Sequence, residues 1–176
     1  MNHLQLPVFS YASSIVIETE LLRFGKGYTQ PSVCEMIFDT GATMTAIDEE
    51  IATRWGYKWK DGKDTTVAGI GNAAMPAKMI TIPSLILDGY DIGPNSIHVI
   101  KFPEDANTKA VLGMNVIRNF KTTIDIKTWE DENYDVTKPI GLITLTPKFD
   151  MSDKPLLENF IPSMHRFGIW YVNKAQ

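Results

Sequence analysis

Short runs of β-branched and aromatic residues, cut again and again by Gly, Pro and Asn, fill this chain and leave room for little helix. In "SSIVIETELL", Ile15, Ile17 and Leu21 alternate roughly, and "GKG" follows as a turn before a second run, "SVCEMIFD", so the two read as a hairpin. "MTAI" is a short third strand. "TTVAGIGNAAMPAKMITIPSLIL" reads as strand, Gly-rich turn and strand, and "NSIHVIKF" and "KAVLG" are further strands. "KTTIDIKTW" and "IGLITLT" form a hairpin across the acidic loop "EDENYDVTKP". Helix is predicted at only two places. In "DEEIATRWGY", Asp48 is the N-cap, Glu49 and Glu50 suit the first turn, and Gly56 is the stop. "MNVIRNF" is a second, short helical piece. Many strands with few helices predict an all-β barrel or sandwich.

A chain of 176 residues is long enough for one domain with a sizeable core. The net charge of −4 argues against a nucleic-acid surface, which needs clustered Lys and Arg. No apolar run reaches the ~18 residues of a membrane-spanning helix. The N-terminal stretch lacks a basic start and is interrupted by Pro7 and Glu18, so no secretory signal is expected. The single cysteine, Cys34, cannot close an internal disulfide, which fits a reducing, cytoplasmic setting. From about Pro147 the style changes. Residues 1–147 are therefore read as the folded domain, and 148–176 as an extension that packs on the core, over a cleft or between copies of the chain.

Residues 35–48, "EMIFDTGATMTAID", carry the chemistry. An apolar run stops abruptly on Asp39, with Thr40, Gly41 and Ala42 after it and no Lys or Arg anywhere in the stretch. A strand ending in Asp-Thr-Gly suits presentation of a carboxylate: the strand carries the acid to a cleft floor, Thr40 can brace the loop, and Gly41 permits a sharp turn and close approach. Peptide hydrolysis by carboxylates needs two of them about 3 Å apart, sharing one proton. One then acts as base on a water while the other donates a hydrogen bond to the scissile carbonyl, with no metal or cofactor. Further along stands "AVLGMNVI", two apolar residues before Gly113 and a helical start, and between the two lies the Gly-rich tip "VAGIGN".

On these three elements, in this order, the chain resembles the retropepsins, the single-domain aspartic peptidases of retroviruses and their cellular and bacterial relatives. The likeness spans roughly residues 12–146. It implies a closed, mostly β acid-protease barrel with one or two short helices and a flap hairpin, working as a homodimer on polypeptide substrates. Asp39 would be the catalytic acid, Thr40 would bond across the dimer, Gly41 would offer its carbonyl to substrate, and Ala42 would complete the loop. Ala68, Gly69, Ile70, Gly71 and Asn72 would be flap. The chain departs from the viral pattern twice, with Thr43 where those enzymes carry an acid and Met114 where they carry an Arg. Those two family residues normally pair, so their joint absence points toward a cellular or prokaryotic-type relative. A retropepsin-like dimerisation or peptide-binding module with little or no proteolysis is the alternative reading. A purely structural barrel, with Asp39 bonding loop amides, is a third.

Other features carry less. "GIGNAA" satisfies G-x-G-x-x-A with Asp91 following, but Pro76 and Ile80-Thr81-Ile82 stand where a dinucleotide site needs a helix. His3, His98 and His165 are isolated and lack partners at metal-ligand spacing. Cys34 has no His or basic neighbour to activate it and reads as core. Ser13, Ser14 and Ser96 have no G-x-S-x-G context. Glu130-Asp131-Glu132 reads as a solvated loop, not a calcium loop. Trp55 and Trp59 should pack against the barrel. Asp125 reads as an outward strand position, so one chain supplies one motif and a dyad requires two chains.

Overall fold

The computed structural model describes residues 3–11, 14–25, 28–68, 74–106, 108–126 and 139–150, with the backbone pairing of 164–165 and 168–169. Gly69–Asn72 of the expected flap, the acidic run 130–132 and nearly all of the extension beyond Asp150 therefore lie outside the described residues.

Strands β1 (Leu4–Tyr11), β2 (Ser14–Gly25) and β3 (Tyr28–Phe38) open the chain. β4 (Ala46–Asp48) leads into helix α1 (Glu49–Arg54) and a 3-10 turn at Trp59–Asp61. β5 (Lys63–Ala68) and β6 (Ala74–Ile82) follow, then β7 (Leu85–Leu87), β8 (Tyr90–Asp91), β9 (Asn95–Ile100) and β10 (Ala110–Leu112). Helix α2 (Met114–Ile117) precedes β11 (Phe120–Ile126) and β12 (Gly141–Pro147). In the extension, β13 (Met164–His165) pairs with β14 (Gly168–Ile169).

Among the described residues, twelve strands join in one sheet along the path β11-β12-β1-β2-β3-β10-β4-β9-β6-β5, with β7 branching from β2 and carrying β8. The all-β reading holds. The path is open, with β11 and β5 at its ends, so the sheet does not close into a barrel. The expected hairpins form in constant register: β2 with β3 from Val16↔Ile37 to Gly25↔Tyr28, β5 with β6 from Lys63↔Met79 to Ala68↔Ala74, and β11 with β12 from Phe120↔Pro147 to Ile126↔Gly141. β6 occupies the place where a dinucleotide motif would need a helix. β1 was not anticipated. Pro7 and the polar start hide a period-2 pattern in which Leu4, Leu6 and Val8 point inward and are fully buried. Pro7 stays in register with Leu142.

Those three side chains join Ile17, Leu21, Met36, Leu112, Ile143 and Leu145 in one core. Each such buried aliphatic contributes about 1.5–3 kcal/mol. Trp55 and Trp59 pack against this core, as their position predicts. α1 starts where the capping signal places it: Oδ1 of Asp48 accepts from Glu50 N at 2.8 Å. Its other oxygen accepts from Phe102 N at 2.8 Å, so one buried carboxylate ties the helix start to the end of β9. Gly56 ends the helix at φ +81°, where a Cβ would also sit 2.6 Å from Phe24 O. No described helix is long and apolar enough to cross a membrane.

Candidate active site

The sheet crosses over at the Asp39 loop. β10 runs parallel to β3 (Leu112↔Phe38) and antiparallel to β4 (Ala110↔Ile47), so it lies between the strand entering the loop and the strand leaving it. The loop must therefore pass around the end of β10, and its backbone is tied there. Asp39 N donates to Leu112 O at 3.1 Å. On the far side, the first amides of α2 donate back to the loop, Met114 N to Ala42 O at 2.8 Å and Asn115 N to Thr43 O at 3.0 Å.

This contact requires Gly113. A Cβ there would lie 2.6 Å from Met44 O and 2.8 Å from Thr45 N, and would collide with Met44 C. All are backbone atoms that cannot step aside. The apolar-apolar-Gly element thus works as sequence reasoning expects, as an arm passing against the loop.

The side chain of Asp39 is half-buried. Its Oδ1 accepts from Gly41 N at 2.7 Å and from Ala42 N at 3.3 Å. Among the described residues no Lys, Arg or His pairs with it; the ion pairs there are Lys78–Asp64 and Lys109–Glu50. The missing cation is answered by two backbone amides, which hold one carboxylate oxygen and leave Oδ2 without a described partner. Thr40, Gly41 and Thr43 are exposed and Ala42 is half-buried, so the loop presents itself outward from a braced base. Ala68 is exposed at the end of β5.

Two residues that sequence reasoning passed over complete the brace. Thr45, fully buried, donates both its N and its Oγ1 to Oδ1 of Asn115, at 2.7 and 2.9 Å. Gly113 N donates to Thr45 Oγ1 at 3.1 Å, and Asn115 Nδ2 donates to Ser96 O at 2.9 Å. Thr45 O in turn accepts from His98 N at 2.9 Å. Three chain segments, 39–45, 113–115 and 96–98, are thereby locked together. A signal was present, because Thr45 and Asn115 are the polar interruptions in "MTAI" and "MNVI".

Of the remaining candidates, His98 reaches this site through its backbone N. Asp125 is exposed on β11, four strands along the path from β3. Burial, aided by the negative charge of Glu35, pushes the Cys34 thiol up to about 12, so it is an inert core residue. His98 is half-buried, and that desolvation lowers its pKa. Among the described residues no group of three His, Cys, Asp or Glu is placed to hold a metal ion. A groove of about 520 Å³ along α1, lined by Glu49, Glu50, Thr53, Arg54, Trp59 and Lys60, includes none of the Asp39 loop.

The family described as "gag-polyprotein putative aspartyl protease" matches residues 30–119, from β3 through α2 and just over half the chain. A retropepsin-like aspartic protease from Rickettsia conorii superposes with a TM-score of 0.52 at 19% identity, covering 82% of this chain and 90% of that one. The retroviral protease-like domain of Ddi1 from Leishmania major gives a TM-score of 0.40 at 15% identity, covering 85% and 99%. A search among curated proteins finds no match. The matched segment contains the Asp39 loop, Gly113 and the Thr45–Asn115 brace, and on that match the chain belongs to the gag-polyprotein aspartyl protease family.

Proposed function

We propose that the chain is an aspartic endopeptidase that hydrolyses extended polypeptides with a dyad of Asp39 from two copies. The observation that carries this reading is the state of Asp39 itself: a half-buried carboxylate, without a described cation, held through one oxygen by Gly41 N and Ala42 N. A loop-bracing aspartate would be expected to spend both oxygens on its own chain, as Asp48 does.

In the proposed reaction the two Asp39 carboxyls share one proton. The ionised one takes a proton from water, whose oxygen attacks the peptide carbonyl, while the protonated one donates to the carbonyl oxygen. Collapse of the tetrahedral intermediate then breaks the C–N bond as a proton passes to the leaving nitrogen. Thr40 would bond across the dimer, Gly41 and Ala42 would line the substrate strand, and the β5–β6 hairpin, with Ala68, Gly69, Ile70, Gly71 and Asn72 at its tip, would cover it as a flap.

Stoichiometry tests the dyad. Wild type and Asp39→Ala are co-refolded in varying ratio at fixed total concentration, and cleavage of a peptide library is read by mass spectrometry. Random pairing makes activity fall as the square of the wild-type fraction, so an equal mixture keeps about a quarter of full activity. A monomeric enzyme would keep about half. A linear curve ends the dyad reading; intact peptide binding without any cleavage by wild type favours the binding-module alternative.

A further inference from the structure

The core layer ends one strand too early at the β11 end of the sheet. Across three strands, Leu6 (β1), Ile143 (β12) and Ile124 (β11) stand in one row, as do Leu4, Leu145 and Thr122. Leu6 and Ile143 are 0% exposed, whereas Ile124 is 42% exposed although it lies on the same face. β11 is the terminal strand, so its outer edge is unpaired among the described residues. The Oγ1 of Thr122 is buried without a hydrogen-bond partner among them. Phe149, another exposed large apolar side chain, stacks edge-on against Phe120 at the first residue of β11, with centroids 5.5 Å apart. An apolar face beside a free strand edge is an invitation to pairing that folded proteins normally cover.

The chain itself leads to that face. Lys148 N donates to Asn119 O at 3.0 Å, which pins the exit of β12 to the corner between α2 and β11, and Phe149 follows on Phe120. Another 26 residues remain beyond Asp150. They include Ile169-Trp170-Tyr171-Val172, a run suited to an edge strand, and its first residue is already extended in β14. The stretch from Asp150 to Met164 can reach roughly 45 Å when extended, against about 20 Å for the length of β11. Tethering places this run at millimolar effective concentration beside the face, an advantage no free partner has.

We propose that residues 169–172 of the same chain dock along β11, pairing with its free edge and covering Ile124. The docking is independent of any catalytic role for Asp39, and it makes the extension part of the fold.

The test uses the full-length chain with Ile124→Ser, Trp170→Ser and the double variant, reading amide hydrogen exchange at Thr122–Ile126 and the state of association by sedimentation. Docking predicts that each single variant speeds exchange of these amides by about tenfold or more. The double variant should then be little faster than the worse single one, and association should be unchanged. If Trp170→Ser leaves β11 exchange as in wild type, the segment does not dock there and the proposal is overturned. It is equally overturned if Ile124→Ser dissociates an oligomer that Trp170→Ser leaves intact, because a second copy would then be the cover.

Discussion

Replacing Asn115 by Ala should uncouple the Asp39 loop from its support. The substitution deletes the acceptor for two donors of Thr45, N at 2.7 Å and Oγ1 at 2.9 Å, and the donor to Ser96 O. The three losses are unequal. Thr45 is fully buried, so its orphaned N–H costs about 1–3 kcal/mol, and the hydroxyl adds about 0.5–1.5 kcal/mol. Ser96 is exposed, and water replaces the lost donor at little cost. The sum is about 2–4 kcal/mol, which in a domain of this size lowers the thermal midpoint by roughly 5–15 °C.

Asn115→Asp separates the contributions. It keeps both acceptor contacts to Thr45 and loses only the donation to Ser96, so it should cost less than half as much. Urea denaturation of wild type and both variants measures this, and hydrogen exchange locates it: Gly41, Ala42 and Thr45 should exchange faster in Asn115→Ala, while β1 and β12 stay protected at equal distance from global unfolding. An alanine variant within about 0.5 kcal/mol of wild type, or an aspartate variant as damaged as alanine, would show that the brace is not where the loop's order comes from.

Gly113→Ala should destabilise by about 3 kcal/mol or more, because its methyl meets only backbone of Met44 and Thr45; an urea midpoint close to wild type would refute this. Asp39→Asn keeps an acceptor oxygen for Gly41 N and Ala42 N, so stability should stay within about 0.5 kcal/mol while peptide cleavage disappears; a marked loss of stability would mark Asp39 as structural instead. Folding stability should fall as pH rises above 9. The thiol of Cys34 ionises at its ordinary 9.0 when unfolded but only at about 12 when folded, so the unfolded state loses its proton first and gains ground. Denaturation at pH 8 and 10 checks the sign, and Cys34→Ala should flatten the slope. At the acid end, burial lowers the pKa of His98, so its contribution is present above 6.5 and is lost as pH falls below it; stability of a His98→Gln variant should depend less on pH there.

The local elements of this protein were legible from order and spacing alone. Alternating apolar residues and Gly-bearing turns specify the β2–β3, β5–β6 and β11–β12 hairpins, because strand period and turn chemistry are decided by neighbours in sequence. The Asp48 cap and the Gly56 stop mark α1 for the same reason. Asp39-Thr40-Gly41 after a strand, with apolar-apolar-Gly far downstream, was enough to name the family. Long-range pairing was not legible. β1 is half-hidden by Pro7, and it becomes a strand because β12 and β2 flank it, two partners more than a hundred residues apart in the chain. Whether the sheet closes depends on summed twist and on which edges meet, and here β11 and β5 do not pair. The cation missing around Asp39 could be noticed in the sequence, but its replacement by the amides of Gly41 and Ala42 is a matter of backbone direction. Likewise Thr45, Asn115 and Ser96 are ordinary polar residues until β10 brings the loop and α2 together. Burial then turns the two hydrogen bonds from Thr45 to Asn115, each of little net worth in water, into the support of the site.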